Sequence, residues 1–375
     1  MKKLFLSVAV VLVFTSLSFA KDLIVGVQAP ITGSMASEGQ GMQRAVELLA
    51  EQANAAGGIN GDTIKVIVCD DEGTTGKAAI CAKNLVDQGA KVVIGSYTSS
   101  ATEASQAYYS RFNVIQTSDA TAASLTKKNY PTYFRASFND DIEGEFTANY
   151  FIAVRNYKRV AIISDYGTFS DGLAKAVREH LQKLGGKDIV VSWEKINAGA
   201  QDYKAVLTKI KERNPDVVYF SGYYTESALL RAQAVQLGLT ADYYGGNATD
   251  NADFVKIAGV KAAAGSYLIG LPTPDQLDYP EAKQFAQDYL NKYKEKIPSI
   301  WVVVNADGLR VVFEAMRQTK TNDTVTAAKY IRGSIKDFNG FTGPITIQSN
   351  GERAGSIYQV NIINSKGEYE VWKPE

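Results

Sequence analysis

Apolar positions along this chain alternate between two periods. Leu23 to Gln28 is an apolar run of strand length, after which Met42, Ala45, Val46, Leu49 and Ala53 recur at helical spacing. Gly57-Gly58 ends that helix and Asn60-Gly61 makes a turn. Ile64 to Cys69 then reads as a strand, Ala78 to Val86 as a helix ended near Gly89, and Lys91 to Gly95 as a third strand. The turn Ser96 to Thr102 leads into another helix and the strand Val114 to Gln116. The rhythm restarts further on. Strands are expected at Arg159 to Ser164, Lys187 to Trp193, Asp216 to Phe220 and Asp242 to Gly245, with helices at Gly172 to Leu184, Gln201 to Glu212 and Glu226 to Leu237 between them. Repeated strand–helix units predict an α/β fold with parallel sheets covered by helices on both faces, and two such blocks predict two similar lobes.

The tail changes character. Pro280 to Lys294 and Asp307 to Gln318 read as amphipathic helices. From Thr342 onward the pattern is strand and turn: Gly343 to Ile347, a turn at Ser349-Asn350-Gly351, Ser356 to Ile363, a turn at Ser365-Lys366-Gly367, then Tyr369 to Trp372, a β-hairpin signal. No low-complexity tether separates the lobes, which fits several short crossings between them.

The first twenty residues stand outside this pattern. Lys2 and Lys3 precede an apolar stretch, Leu4 to Ser18, too short for a spanning helix, and Ser18-Phe19-Ala20 has the small residues of a cleavage site. This reads as a secretory signal peptide cut after Ala20. No cysteine follows Ala20, so lipid attachment there has no support. The rest of a 375-residue chain is enough for two domains, with no later stretch of transmembrane length. Forty basic residues balance forty acidic ones, which gives no reason to expect nucleic acid or an anionic membrane as a partner. The single histidine, His180, sits in a charged helical run and reads as a solvated face. Cys69 and Cys81 are the only cysteines. In an exported chain the pair is expected as a disulfide, with two buried thiols as the alternative; with no histidine nearby they make no zinc site.

Enzyme motifs are lacking. Gly33, Gly39 and Gly41 have the wrong spacing for a dinucleotide loop, there is no phosphate-binding Gly-Lys-Ser/Thr loop, and Ser124 to Lys127 matches Ser-x-x-Lys without the companion motifs of acylating enzymes. Neither enzymatic activity, metal nor cofactor is expected. Binding features are better placed. Gly95 to Thr102 and Thr117 to Ser124 are rich in small hydroxyl residues where a strand ends and a helix begins. Helix N-termini there offer free N–H groups to an anion, and open α/β folds bind ligands at the carboxyl ends of their strands. The same residues also serve as ordinary helix caps, and composition leaves both readings open.

In order and spacing, a set of short stretches resembles the periplasmic branched-chain amino-acid (leucine/isoleucine/valine) binding proteins of ABC transporters. These are Val25 to Gly33, Gly57 to Gly61, Asp70-Asp71, Val93 to Gly95 with Ser99-Ser100, Ala120-Thr121, Asp165 with Gly172 to Ala174, Gly222-Tyr223 and Gly245-Gly246. The resemblance implies the type I periplasmic binding protein fold: two Rossmann-like lobes with parallel central sheets joined by a three-crossing hinge. The crossings are expected near Ser137, Leu268 and Phe341, so that residues 21–137 plus 269–341 form one lobe and 138–268 plus 342–375 the other. It implies a monomeric protein of the periplasm that captures an amino acid or relative by lobe closure and delivers it to the permease and ATPase subunits of a transporter. Ser99, Ser100 and Thr121 are expected at the ligand carboxylate, the Asp119 carbonyl and Tyr223 on the ammonium side, and Phe169 at the cleft.

Some positions depart from the family. Asn247 stands where leucine binders carry an acid, Asp119 replaces a usual small residue, and Glu38 and Tyr97 replace typical apolar or aromatic pocket positions. These changes favour a ligand with a polar or cationic part, with Asp119 supplying the charge that Asn247 lacks, or a ligand that is not an α-amino acid, such as an amide. Glu38 reads equally as a solvent-facing loop residue. Two other function classes compete: a sensor that passes the closed state to a signalling partner, and a secreted α/β enzyme, which would need a nucleophile and base that the sequence does not offer.

Overall fold

The computed structural model describes residues 21–373; the expected signal peptide lies outside the described residues. The first half runs β1 (Asp22–Ala29), α1 (Ala36–Ala55), β2 (Thr63–Asp70), α2 (Thr75–Asp87), β3 (Val92–Gly95), α3 (Ser99–Arg111), β4 (Ile115–Ser118), α4 (Ser124–Lys127) and β5 (Tyr133–Arg135). Its five strands form one sheet in the order β2-β1-β3-β4-β5, and every pairing is parallel. The second part runs α5 (Asp140–Asn149), β6 (Val160–Ser164), α6 (Thr168–Gly185), β7 (Val190–Lys195), α7 (Lys204–Glu212), β8 (Val217–Ser221), α8 (Tyr224–Gln236), β9 (Asp242–Gly245), α9 (Ala252–Ala258), α10 (Val260–Ala263) and β10 (Tyr267–Gly270). It then continues through α11 (Pro280–Tyr293), α12 (Ile300–Thr319), α13 (Thr324–Ser334), β11 (Phe338–Gly340), β12 (Gly343–Ile345), β13 (Gln359–Ile363) and β14 (Tyr369–Val371).

Seven strands form the second sheet, β14-β13-β10-β9-β8-β6-β7, parallel except where β13 runs against β10 and β14 against β13. The parallel strands are nearly continuous apolar runs, as strands covered on both faces must be: Val92 to Ile94 and Val160 to Ile163 are fully buried. The tail hairpin is β13 with β14, whereas Gly343 to Ile345 pairs with β11 instead.

Two of the expected crossings move. Leu268 lies inside β10, paired with Asn361 and Gly245, so the chain leaves the second sheet only after Gly270. Phe341 is not the exit from the first lobe either, because residues 342–353 stay fastened to it. Arg135 N donates to Gly351 O at 3.0 Å and the Arg135 guanidinium pairs with Glu352, while Arg353 donates to Ala136 O and Thr342. The tail reaches the second sheet at β13. His180 is half-buried on α6 rather than fully solvated. Cys69, on β2, and Cys81, on α2, form a disulfide with their Cα atoms 5.6 Å apart, because α2 packs back on the strand it follows. Among the described residues no helix is long and apolar enough to cross a membrane.

Candidate functional site

The carboxyl ends of the two sheets face each other across a small cavity, with about 220 Å³ of space that includes open solvent. The β3–α3 and β4–α4 turns and α12 contribute Tyr97, Ser99, Asp119, Ala120, Thr121 and Trp301 to its lining. The second sheet's side contributes Phe169 from α6, Tyr223 after β8, and Asn247 and Ala248 after β9.

Local sequence places each group. Gly95 ends β3 with φ +117°, and a Cβ there would fall 1.8 Å from the Gln28 carbonyl oxygen, so only glycine lets the turn fold over β1. Thr98 caps α3 by accepting from Ala101 N at 3.3 Å, which leaves the Ser99 and Ser100 amides at the free start of a thirteen-residue helix. Ser99 Oγ accepts from Ala122 N at 3.2 Å and so ties the two hydroxyl-rich turns together. Helix α12 approaches β4 closely because Gly308 has no side chain; a Cβ there would meet Thr117 Oγ1 at 2.8 Å. At the start of α12, Ser299 caps the helix and sets Trp301 against the cavity, where its indole N–H donates to Asn247 O at 3.2 Å across the cleft.

The electrostatics are one-sided. Among the described residues no lysine, arginine or histidine lines the cavity. Asp119 does, buried, with Oδ1 lacking any hydrogen-bond partner among the described residues, and the Tyr97 hydroxyl is likewise unpartnered. Burial, opposed by the Asn305 side chain and reinforced by the charge of Glu38, holds the Asp119 carboxyl well above its usual range. Burial also lifts Glu38, Asp140 and Asp250 to about 7. Such a site disfavours a bare anion except at the α3 N-terminus and welcomes a positive charge beside Asp119.

Seven of the nine sequence-predicted residues line the cavity: Tyr97, Ser99, Asp119, Thr121, Phe169, Tyr223 and Asn247. Two do not. Ser100 points to the rim, where its Oγ accepts from Thr168 N at 3.0 Å. Glu38 is neither a lining residue nor a loop residue. It sits fully buried in α1, accepting from Asn251 Nδ2 at 2.6 Å and Ser299 Oγ at 2.8 Å, because the helix turns it toward the second lobe. Ala248 and Trp301 join the lining without a sequence signal of their own. The run Ile300 to Leu309 is buried almost without interruption, so no amphipathic period marks the true start of α12.

Direct contacts bind the lobes on both sides of the cavity. On one side stand Glu38 with Asn251, and Tyr224 and Thr225 donating to Ser34 O at 3.0 Å. On the other, Thr168 meets Ser100 and Glu103.

A family model described as periplasmic binding protein matches residues 23–368. The chain is 32% identical to the leucine-, isoleucine-, valine-, threonine- and alanine-binding protein of Pseudomonas aeruginosa, over 90% of this chain and 89% of that one. It is 28% identical to the Leu/Ile/Val-binding protein of Escherichia coli, over 97% of each. Among solved structures it is similar to the branched-chain amino acid transporter substrate binding protein of Streptococcus pneumoniae in complex with isoleucine, with TM-score 0.84 and 30% identity over 94% of this chain and 98% of that one.

Proposed function

The chain belongs to the periplasmic binding protein family, and from that premise we propose that it captures a small zwitterionic solute, an amino acid or close relative, by closing its two lobes, and delivers it to the permease and ATPase subunits of an ABC uptake transporter. The observation that carries this reading is a cavity lined by both lobes, with a helix N-terminus and hydroxyls on one wall and a buried carboxyl with an unpartnered oxygen, Asp119, beside them. The solute's carboxylate sits at the start of α3 with Ser99 and Thr121. Its ammonium lies between Asp119 and Asn247, with Tyr97, Phe169, Tyr223 and Trp301 enclosing the apolar part. The protein works as a monomer in the periplasm after cleavage at Ala20.

A solute that binds the closed form better than the open one shifts the lobes toward closure in proportion to that difference. The relatives named for leucine, isoleucine and valine make these the first amino acids to test. Thermal unfolding of ligand-stripped protein against single amino acids, amides and small carboxylates checks the reading, since a ligand of the native state raises the melting temperature by mass action. Stabilisation by one or a few zwitterions is expected; stabilisation by amines or carboxylates alone, with none by zwitterions, would refute it. If the charge has moved from position 247 to 119, Asp119→Asn costs well over about 1 kcal/mol of zwitterion affinity while Asn247→Asp is tolerated. Unchanged binding in both variants would remove these residues from the site.

A further inference from the structure

We propose that Glu143 is a positioning residue that sets the chemical selectivity of the cavity by fixing which end of the Asn247 amide the solute meets. The inference rests on the solute-binding reading above. Glu143 lies on α5, fully buried, and is not itself a lining residue. Three donors converge on its carboxylate. Asn247 N reaches Oε1 at 3.1 Å, the Tyr219 hydroxyl reaches the same oxygen at 3.3 Å, and Asn247 Nδ2 donates to Oε2. Burial and the neighbouring Asp140 raise this carboxyl well above its usual range, but both of its oxygens are occupied as acceptors by these three donors, and that geometry holds the amide with Nδ2 turned inward. Among the described residues no protein donor reaches Oδ1 of Asn247. The cavity therefore meets an acceptor at position 247, across from the unpaired oxygen of Asp119.

A solute with an N–H donor at this point gains a bond at Asn247, and one with a carbonyl there faces the Asn247 acceptor and loses that bond. Discrimination of this kind is strong, because the rejected solute leaves buried polar groups unpaired. A glutamine at position 143 reverses the arrangement. Its Oε1 takes over the Asn247 N and Tyr219 donors, and its Nε2 then donates to the Asn247 amide, which turns Oδ1 inward and Nδ2 toward the solute.

Valine and its 2-oxo counterpart, 3-methyl-2-oxobutanoate, share the side chain and carboxylate and differ at C2, where an ammonium on a tetrahedral carbon gives way to a planar carbonyl, the group that would face Asn247. Calorimetric titration of both into the ligand-stripped full chain reads the preference. The wild type is expected to favour the amino acid, and Glu143→Gln to cut that preference by at least about tenfold, the worth of roughly one charge-assisted hydrogen bond. In an Asn247→Ala background, Glu143→Gln should change neither affinity, since Glu143 acts only through the amide. Asn247→Ala by itself should lose the same preference, which keeps the claim testable if Glu143→Gln folds poorly. An unaltered preference in Glu143→Gln or Asn247→Ala overturns the proposal. So does an equal loss of affinity for both solutes in Glu143→Gln, the mark of a purely structural role. If the wild type binds other amino acids but prefers the 2-oxo acid to valine, solute capture stands and this assignment alone falls; if it binds no zwitterion at all, both fall.

Discussion

Ser99 Oγ accepts the Ala122 amide and keeps its own proton free, while the amides of the first turn of α3 lie beside it. Replacing Ser99 or Thr121 by alanine should weaken zwitterion binding by about 1–3 kcal/mol, the loss expected when a charged acceptor forfeits one donor. Calorimetry with the best ligand checks this, and normal affinity in both variants would take the carboxylate away from α3. Glu38 makes a second prediction, in pH. Burial raises its pKa from 4.5 to about 7, with Asn251 and Ser299 pulling the other way. The folded chain thus holds this proton more tightly than the unfolded chain. Below the unfolded pKa both states are protonated and nothing is lost. As pH climbs from there toward the folded pKa, the folded state loses about 1.4 kcal/mol of relative stability with each pH step of one. Thermal melts of Glu38→Gln against wild type should show the variant gaining relative stability between pH 4.5 and about pH 7, the interval between the unfolded and folded pKa, and no further gain above it. A difference that stays flat across that range would contradict the burial of this acid. Both residues illustrate what single positions reveal. Ser99 is legible because hydroxyls at a strand–helix turn have few uses, whereas the place of Glu38 is not, because its partners Asn251 and Ser299 lie over two hundred residues away.

The most legible elements are those with an apolar strand followed by an amphipathic helix. β9 falls at the residues expected, and the starts of most others shift by only a few positions. Element α5 gives no such signal, because Asp140, Asp141 and Glu143 crowd its first turn without an apolar period, although Asn139 caps it by accepting from Ile142 N. The amphipathic pattern from Asp307 covers only the later part of α12, and Trp301 lies in the uniformly buried turns before it. The pairing of β2 with α2 is where the elements carry their own prediction. The disulfide closes a separation of 12 residues, and a loop near this size is worth about 3 kcal/mol by chain entropy. The double variant Cys69→Ser, Cys81→Ser should lose roughly 2–3 kcal/mol in denaturant unfolding yet keep wild-type ligand affinity, since neither cysteine lines the cavity. Lost affinity at unchanged stability would show that the bridge serves the site and not the scaffold.

At the scale of the whole molecule, the restart of the strand–helix rhythm after residue 150 makes two lobes legible, and hydroxyl-rich turns mark which strand ends face the cleft. The crossings are harder to read, because a strand such as β10 is set by its partners in the sheet and not by its own pattern: Tyr267 to Gly270 gains its identity from β9 and β13. Contacts such as Trp301 with Asn247 exist only once both lobes are in place. That contact offers the most direct test of solute capture between the lobes. In a Trp193→Phe, Trp372→Phe background Trp301 is the sole tryptophan, and it reports from the cavity wall. Titrating ligand-stripped protein with the zwitterion that stabilises it best should give a saturable change in Trp301 emission, with the same midpoint as calorimetry, displaced to higher concentration by Ser99→Ala. A solute that binds by calorimetry while Trp301 emission stays constant would place capture elsewhere and contradict the account.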